Sequence, residues 1–189
     1  MNKKLGLVGC GYWGPNIVRN IQKTQNMSLQ FVVDQNEEEI KKLPPTSFYQ
    51  DLETALSRHD DVDGVIVATP ISTHYTIAKQ VLEAGKSVLV QKPMAMSVKE
   101  CDELEEIAKR KNLTVMIAHT FLFTGAVRKL KELADSGNIG KLKHFDSTRI
   151  NLGLFQRDSN VVWDLAPHDF SILHYLVGDL QPLFLSAVG

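Results

Sequence analysis

At 189 residues the chain can hold one domain, or one and part of a second, and can bury a sizeable core. Its 21 basic and 22 acidic residues balance, which argues against a nucleic-acid partner, and no apolar run is long enough to span a membrane. Cys10 and Cys101 fit neither a disulfide framework nor a zinc pattern. The N-terminus enters a strand at once, without a signal peptide, so the sequence predicts a cytoplasmic protein with no metal site.

The first element is an apolar run, Leu5-Gly6-Leu7-Val8, followed by Gly9-Cys10-Gly11-Tyr12-Trp13-Gly14. A helical pattern with Ile17, Val18 and Ile21 on one face comes next. Strand, glycine turn and helix in that order are what a dinucleotide site needs. Gly9 makes the turn, Gly11 leaves the pyrophosphate unobstructed, and Gly14 lets helix and strand pack closely. Pro15 suits the first helical turn, and the positive end of the helix faces the phosphates. Asp34 ends the second apolar run, Leu29–Val33, twenty residues past Gly14. An acid there binds both ribose hydroxyls and repels a 2′-phosphate, so NAD is the expected cofactor.

Asn36–Lys42 reads as a short charged helix ended by Pro44-Pro45, and Thr46–Tyr49 as a short strand. Asp51 caps a helix holding Leu52, Ala55 and Leu56. Gly64–Ala68 and Ser87–Val90 are continuous apolar runs, as expected of strands buried on both faces. Between them lies a helix with Ile77, Ala78, Val81 and Leu82, stopped at Gly85. Ser97 and Glu100 form a capping box for a helix expected to bury Val98, Cys101, Leu104, Ile107 and Ala108. Thr114–Ala118 is a sixth strand. The alternation predicts an α/β fold, a doubly wound parallel sheet of Rossmann type, over residues 1–119.

From about Phe121 the pattern changes, and residues 120–189 read as the start of a second, mixed α/β domain. Val127, Leu130, Leu133 and Ala134 share a helix face. Lys141–Leu152 reads as a long strand, Asp164–Val177 as a helix burying Phe170, Leu173, Leu176 and Val177, and Pro182–Val188 as another strand.

Three further places carry possible chemistry. Lys92, in Gln91-Lys92-Pro93, follows a strand at its carboxyl end, where ligands of such sheets sit. It can polarise a carbonyl or ease deprotonation of an alcohol; a surface lysine before a proline turn is the alternative. Asp164 and His168 are four apart and share a helix face. Such a pair can fix an imidazole tautomer for proton transfer, be a helix cap beside a structural histidine, or be two ligands of a metal, for which the sequence shows no third. Thr69-Pro70 and the following Ser72, Thr73 and His74 can line the nicotinamide half of the crevice, although His74 can equally be a helix-start residue. His119 is similarly placed. His59, His144 and His174 show no partner and read as structural.

Gly9–Gly14, Thr69–His74, Gln91-Lys92-Pro93 and Asp164–His168, in that order, resemble the Gfo/Idh/MocA family of nicotinamide-dependent oxidoreductases, which act mainly on sugars and polyols. The resemblance implies a Rossmann domain followed by an α/β domain whose open sheet often forms a homo-oligomer interface. It implies that Lys92 holds the reacting oxygen, His168 exchanges its proton, and Asp164 orients the substrate or His168. It implies cofactor contacts from Gly9, Gly11, Tyr12, Trp13, Gly14, Asp34, Thr69, Pro70, His74 and Gln91. Gly11–Asn16 and Trp163–Asp169 look most like the nucleotide-sugar branch, including UDP-N-acetylglucosaminuronate 3-dehydrogenase-like proteins. Gln91 departs from the usual Glu-Lys-Pro pattern, removing a negative charge beside Lys92. Family members also run past this length, so a truncated chain is expected. The rival expectation is a non-catalytic dinucleotide-binding regulator or inactive paralogue; a third is an aldehyde or imine reductase.

Overall fold

The computed structural model describes residues 2–41, 43, 46–150, 159–179 and 181–188. The chain divides into two compact units, 1–118 and 119–189.

In the first unit, strands and helices alternate in the order β1 (Lys3–Val8), α1 (Gly14–Lys23), β2 (Met27–Val33), α2 (Glu37–Ile40), β3 (Ser47–Tyr49), α3 (Leu52–Arg58) and β4 (Gly64–Val67), then α4 (His74–Glu83), β5 (Ser87–Val90), α5 (Val98–Lys111) and β6 (Val115–Ile117). The six strands form one parallel sheet in the order β3-β2-β1-β4-β5-β6. This is the doubly wound Rossmann order, with its topological switch between β1 and β4.

Alternation along each strand decides the two cores. Val8, Phe31, Val33, Val65, Val67, Val88 and Val90 face α3, α4 and α5, meeting Leu52, Leu82 and Leu104. Leu7, Val32 and Ile66 point the other way and meet Val18 and Ile21 of α1. A period of two in a strand places successive side chains on opposite faces. Gly6 has a steric role here: a Cβ would lie 2.2 Å from the Phe31 ring. The β1–β2 register shifts between Leu5 and Gly6, and the shift brings Phe31 opposite Gly6. Helix starts follow local chemistry: Asn36 and Asp51 accept from Glu38 and Thr54 backbone N–H groups, and the Ser97–Glu100 capping box is formed. Val98 is a correction, since it stands 70% exposed at the start of α5. It shares a face with Cys101 by spacing, but Cys101 packs against the core while Val98 stands clear of it.

The regular structure described in the second unit is helical: a 3-10 turn at Thr120–Phe123, α6 (Gly125–Asp135) and α7 (Val161–Val177). Two expected strands do not form among the described residues, at 141–150 and 182–188; 151 and 152 lie outside those residues. A β-prone run becomes a strand only when another backbone completes its ladder, and no described residue pairs with either run. Leu183, Phe184, Leu185 and Val188 stand exposed instead. Within α7, Leu176 is buried as expected, but Phe170 and Val177 are exposed. Periodicity assigned them to a face without showing what covers it.

Candidate functional site

The first part of the site is the loop between β1 and α1. Gly9 has φ +94°, and a Cβ there would sit 2.6 Å from the backbone carbonyl of Ala68. Only glycine meets both conditions without displacing β4. At Gly14 a Cβ would come within 3.3 Å of the Gly9 carbonyl oxygen, so close packing of helix on strand restricts this position too. Gly11 is different: nothing lies within 4 Å of where its Cβ would be. The fold leaves that space open to a ligand. The α1 N-terminus has Trp13 as its flanking residue, with no side-chain cap, and Pro15 in its first turn. A helix end of this kind presents backbone N–H groups and positive potential to an anion. These features fit a dinucleotide pyrophosphate. Tyr12 and Trp13 stand exposed beside it, their rings edge to face at 5.4 Å.

Asp34 follows β2, and both of its oxygens are oriented by backbone. Oδ2 accepts from the Cys10 N–H at 2.6 Å and Oδ1 from the Asn36 N–H at 2.9 Å. The carboxylate is thereby held beside the glycine loop, as a ribose ligand must be. Burial, then the charges of Asp34 and Glu39, pushes the Cys10 thiol up to about 12. Cys10 is fully buried and packs with Leu7, Val18 and Ile21.

Thr69 and Pro70 follow β4, and Gln91 and Lys92 follow β5, so both pairs lie at carboxyl ends of adjacent strands. The Gln91 N–H donates to the Val67 carbonyl, and the Lys92–Pro93 bond is cis. His74 joins the two loops. Its ring is 1% exposed, with Nδ1 2.8 Å from the Pro93 oxygen and Nε2 2.9 Å from the Thr69 oxygen. A neutral imidazole can donate to one carbonyl at a time. The ring braces the two loops from within the core, and His74 is also the first residue of α4, one of the two roles expected of it. His59 also has a partner, contrary to expectation: its Nε2 is 3.0 Å from the Tyr49 hydroxyl, and its ring packs on Phe31.

In the second unit, Asp164 and His168 lie one turn apart on α7, both half-buried. The His168 ring meets Phe121 edge to face, with centroids 4.7 Å apart. The Arg149 guanidinium lies 4.8 Å from the centre of the same Phe121 ring. Arg149 also grips Asp169, the residue after His168, with Nε on Oδ2 at 2.9 Å and Nη2 on Oδ1 at 2.8 Å. Ser147 Oγ donates to Oδ1 at 2.8 Å. The Arg149 guanidinium holds the Asp169 carboxyl below its ordinary value, against burial and with help from Ser147. Sequence reading missed Arg149 and Asp169. The available signal was that Ser147 and Arg149, two apart, share a face of an extended segment. His119 follows β6; burial pushes its imidazole down from the ordinary value, and its Nδ1 has no hydrogen-bond partner among the described residues.

Elsewhere, a cleft of about 270 Å³ beside Val18, Ile21, Met27 and Leu29 holds no titratable group and reads as a packing notch. Among the described residues there is no group of three or more His, Cys, Asp or Glu able to hold a metal ion. No described helix is long and apolar enough to cross a membrane.

Residues 3–119 match the profile of the Gfo/Idh/MocA oxidoreductase family with its NAD-binding Rossmann fold. The chain belongs to that family. Among similar proteins, an uncharacterized oxidoreductase of Streptococcus pneumoniae is 32% identical over 85% of this chain and 43% of its own length. The 2,7-anhydro-N-acetylneuraminate hydratase of Mediterraneibacter gnavus is 33% identical over 76% of this chain and 38% of its own. Among solved structures, apo scyllo-inositol dehydrogenase from Lactobacillus casei is 27% identical with a TM-score of 0.67, over 74% of this chain and 43% of that one. The chain thus spans less than half the length of each of these relatives.

Proposed function

We propose that this chain is the cofactor-binding part, and some of the substrate-binding part, of an NAD-dependent dehydrogenase acting on a hydroxyl or keto carbon of a sugar or nucleotide sugar. The observation that carries the reading is Lys92, at the carboxyl end of β5, in a sheet whose glycine loop fits a dinucleotide. Bound NAD supplies the hydride acceptor. Lys92 holds the reacting oxygen through its ammonium, favouring negative charge there as the C–H bond breaks. His168 takes the hydroxyl proton, and Asp164, one turn earlier, orients either the substrate or the imidazole. Asp34 selects NAD over NADP, because a 2′-phosphate would meet its carboxylate. The relatives named for a sialic acid derivative and an inositol support the substrate class. A cytoplasmic location and a homo-oligomer formed through the second domain belong to the same reading. The second reading is an NAD-binding regulator without turnover, favoured by Gln91 in place of the family glutamate.

The test is a panel of scyllo-inositol, free hexoses and UDP-sugars with NAD, followed by formation of reduced nicotinamide. One class should be oxidised. Lys92→Ala and His168→Ala should each lower kcat about 10²–10⁴-fold, with NAD affinity by calorimetry unchanged. Wild-type rates in both variants would overturn the residue roles. Cofactor binding without turnover of any probe would favour the regulator.

A further inference from the structure

We propose that Arg149 and Asp169 are positioning residues that, through Phe121, hold the His168 ring in one orientation. The contacts form a closed circuit. His168 meets Phe121 edge to face, Phe121 meets the Arg149 guanidinium, Arg149 forks onto Asp169, and Asp169 is the next residue to His168 on α7. A fork onto a carboxylate fixes the guanidinium in plane as well as in distance, which a point charge cannot do. The pair is largely withdrawn from water, with side chains 26% and 18% exposed. It is therefore screened less than a surface ion pair. Ser147 occupies a further site on Oδ1, so the carboxylate cannot rotate without losing two donors. At the other end of the circuit, a phenyl edge-to-face contact has a preferred geometry. Turning the imidazole breaks that contact. The circuit spans three separate stretches of the second unit: the 3-10 turn, the segment before residue 150, and α7.

The consequence for proton transfer rests on the reading of His168 given above, but the placement does not. A spectroscopic test separates the two. Protein labelled at histidine Cε1 gives one ring signal per histidine in a carbon–proton correlation spectrum, and His168→Gln identifies that of His168. The Phe121 ring current should displace it from the signals of His144 and His174, which stand exposed. Arg149→Met and Phe121→Leu should each collapse the His168 signal toward those exposed histidines. The signals of His59 and His74, in the first unit, should stay in place as evidence of folding. Arg149→Lys keeps the charge without the fork and should also lose most of the displacement. Asp169→Asn, which leaves the guanidinium unanchored, should do the same. If the His168 signal keeps its position in Arg149→Lys and Asp169→Asn, the circuit does not position the ring and the proposal fails. A wild-type rate for His168→Ala on the sugar panel would instead end the proton-transfer reading and leave the placement standing.

Discussion

In residues 1–118 the buried core is apolar and packs against both faces of a six-stranded sheet. In residues 119–189 a guanidinium, a carboxylate, a phenyl ring and an imidazole meet in one circuit of contacts. Every buried apolar residue among those described lies in the first unit except Leu176. The first unit therefore rests on burial, which is non-directional and tolerant of small shifts. The described part of the second rests on contacts that need particular atoms in particular orientations. A cofactor cradle shared by a whole family sits on the first kind of scaffold. The residues proposed to handle one substrate's proton sit on the second.

The contrast can be broken most sharply in the core. Leu104 is fully buried, and Leu104→Ala should cost about 2–5 kcal/mol in urea unfolding followed by helical circular dichroism. Leu176→Ala should cost less and leave NAD binding intact. Equal losses at the two sites would erase the distinction.

A smaller effect should divide the glycine loop itself. Gly9→Ala meets a positive φ and a backbone clash, and should cost about 1–3 kcal/mol of stability. Gly11→Ala meets open space, so stability should change by less than about 0.5 kcal/mol. Its NAD affinity, measured by calorimetry, should fall at least about tenfold, the equivalent of about 1.4 kcal/mol. A Gly11 variant that binds NAD normally would mean that no ligand approaches there.

The smallest effect concerns acid. The folded-state pKa of Asp169 is depressed by Arg149, so the pair's stabilisation is fully present above the ordinary aspartate range. It is lost as the pH falls below about 4 and through the lowered value. Trp163 lies on α7, so in a Trp13→Phe background its fluorescence should report this loosening. Asp169→Asn should flatten that part of the titration. An unchanged acid limb would show that the pair adds nothing to the unit's stability.

The first unit was readable because the same residues decide several things at once. Leu7 and Val8 define a strand by their type and its two faces by their order, and Ser97 with Glu100 marks a helix start by three residues' spacing. The strands expected at 141–152 and 182–188 do not form among the described residues, for the opposite reason. Their β propensity is local, whereas a ladder needs a partner that no local pattern supplies. Val98, Phe170 and Val177 show the same limit in helices: spacing names a face but cannot say what covers it. Arg149 and Asp169 are twenty residues apart, and the one local signal, Ser147 and Arg149 on a shared face, does not name Asp169 as their partner. His74 could be read from the sequence as a crevice residue or a helix-start residue, and no local pattern showed that its ring would lie between the carbonyls of Thr69 and Pro93.

The approach of Phe31 to Gly6 has a consequence for how this chain can vary. Residue 6 contributes no side chain, and the phenyl ring of residue 31 fills the room it vacates from the neighbouring strand. The two positions hold a single shared allotment of space. Neither can grow unless the other shrinks, so a lineage moving away from this pairing must pass through a void or a collision, or change both residues together.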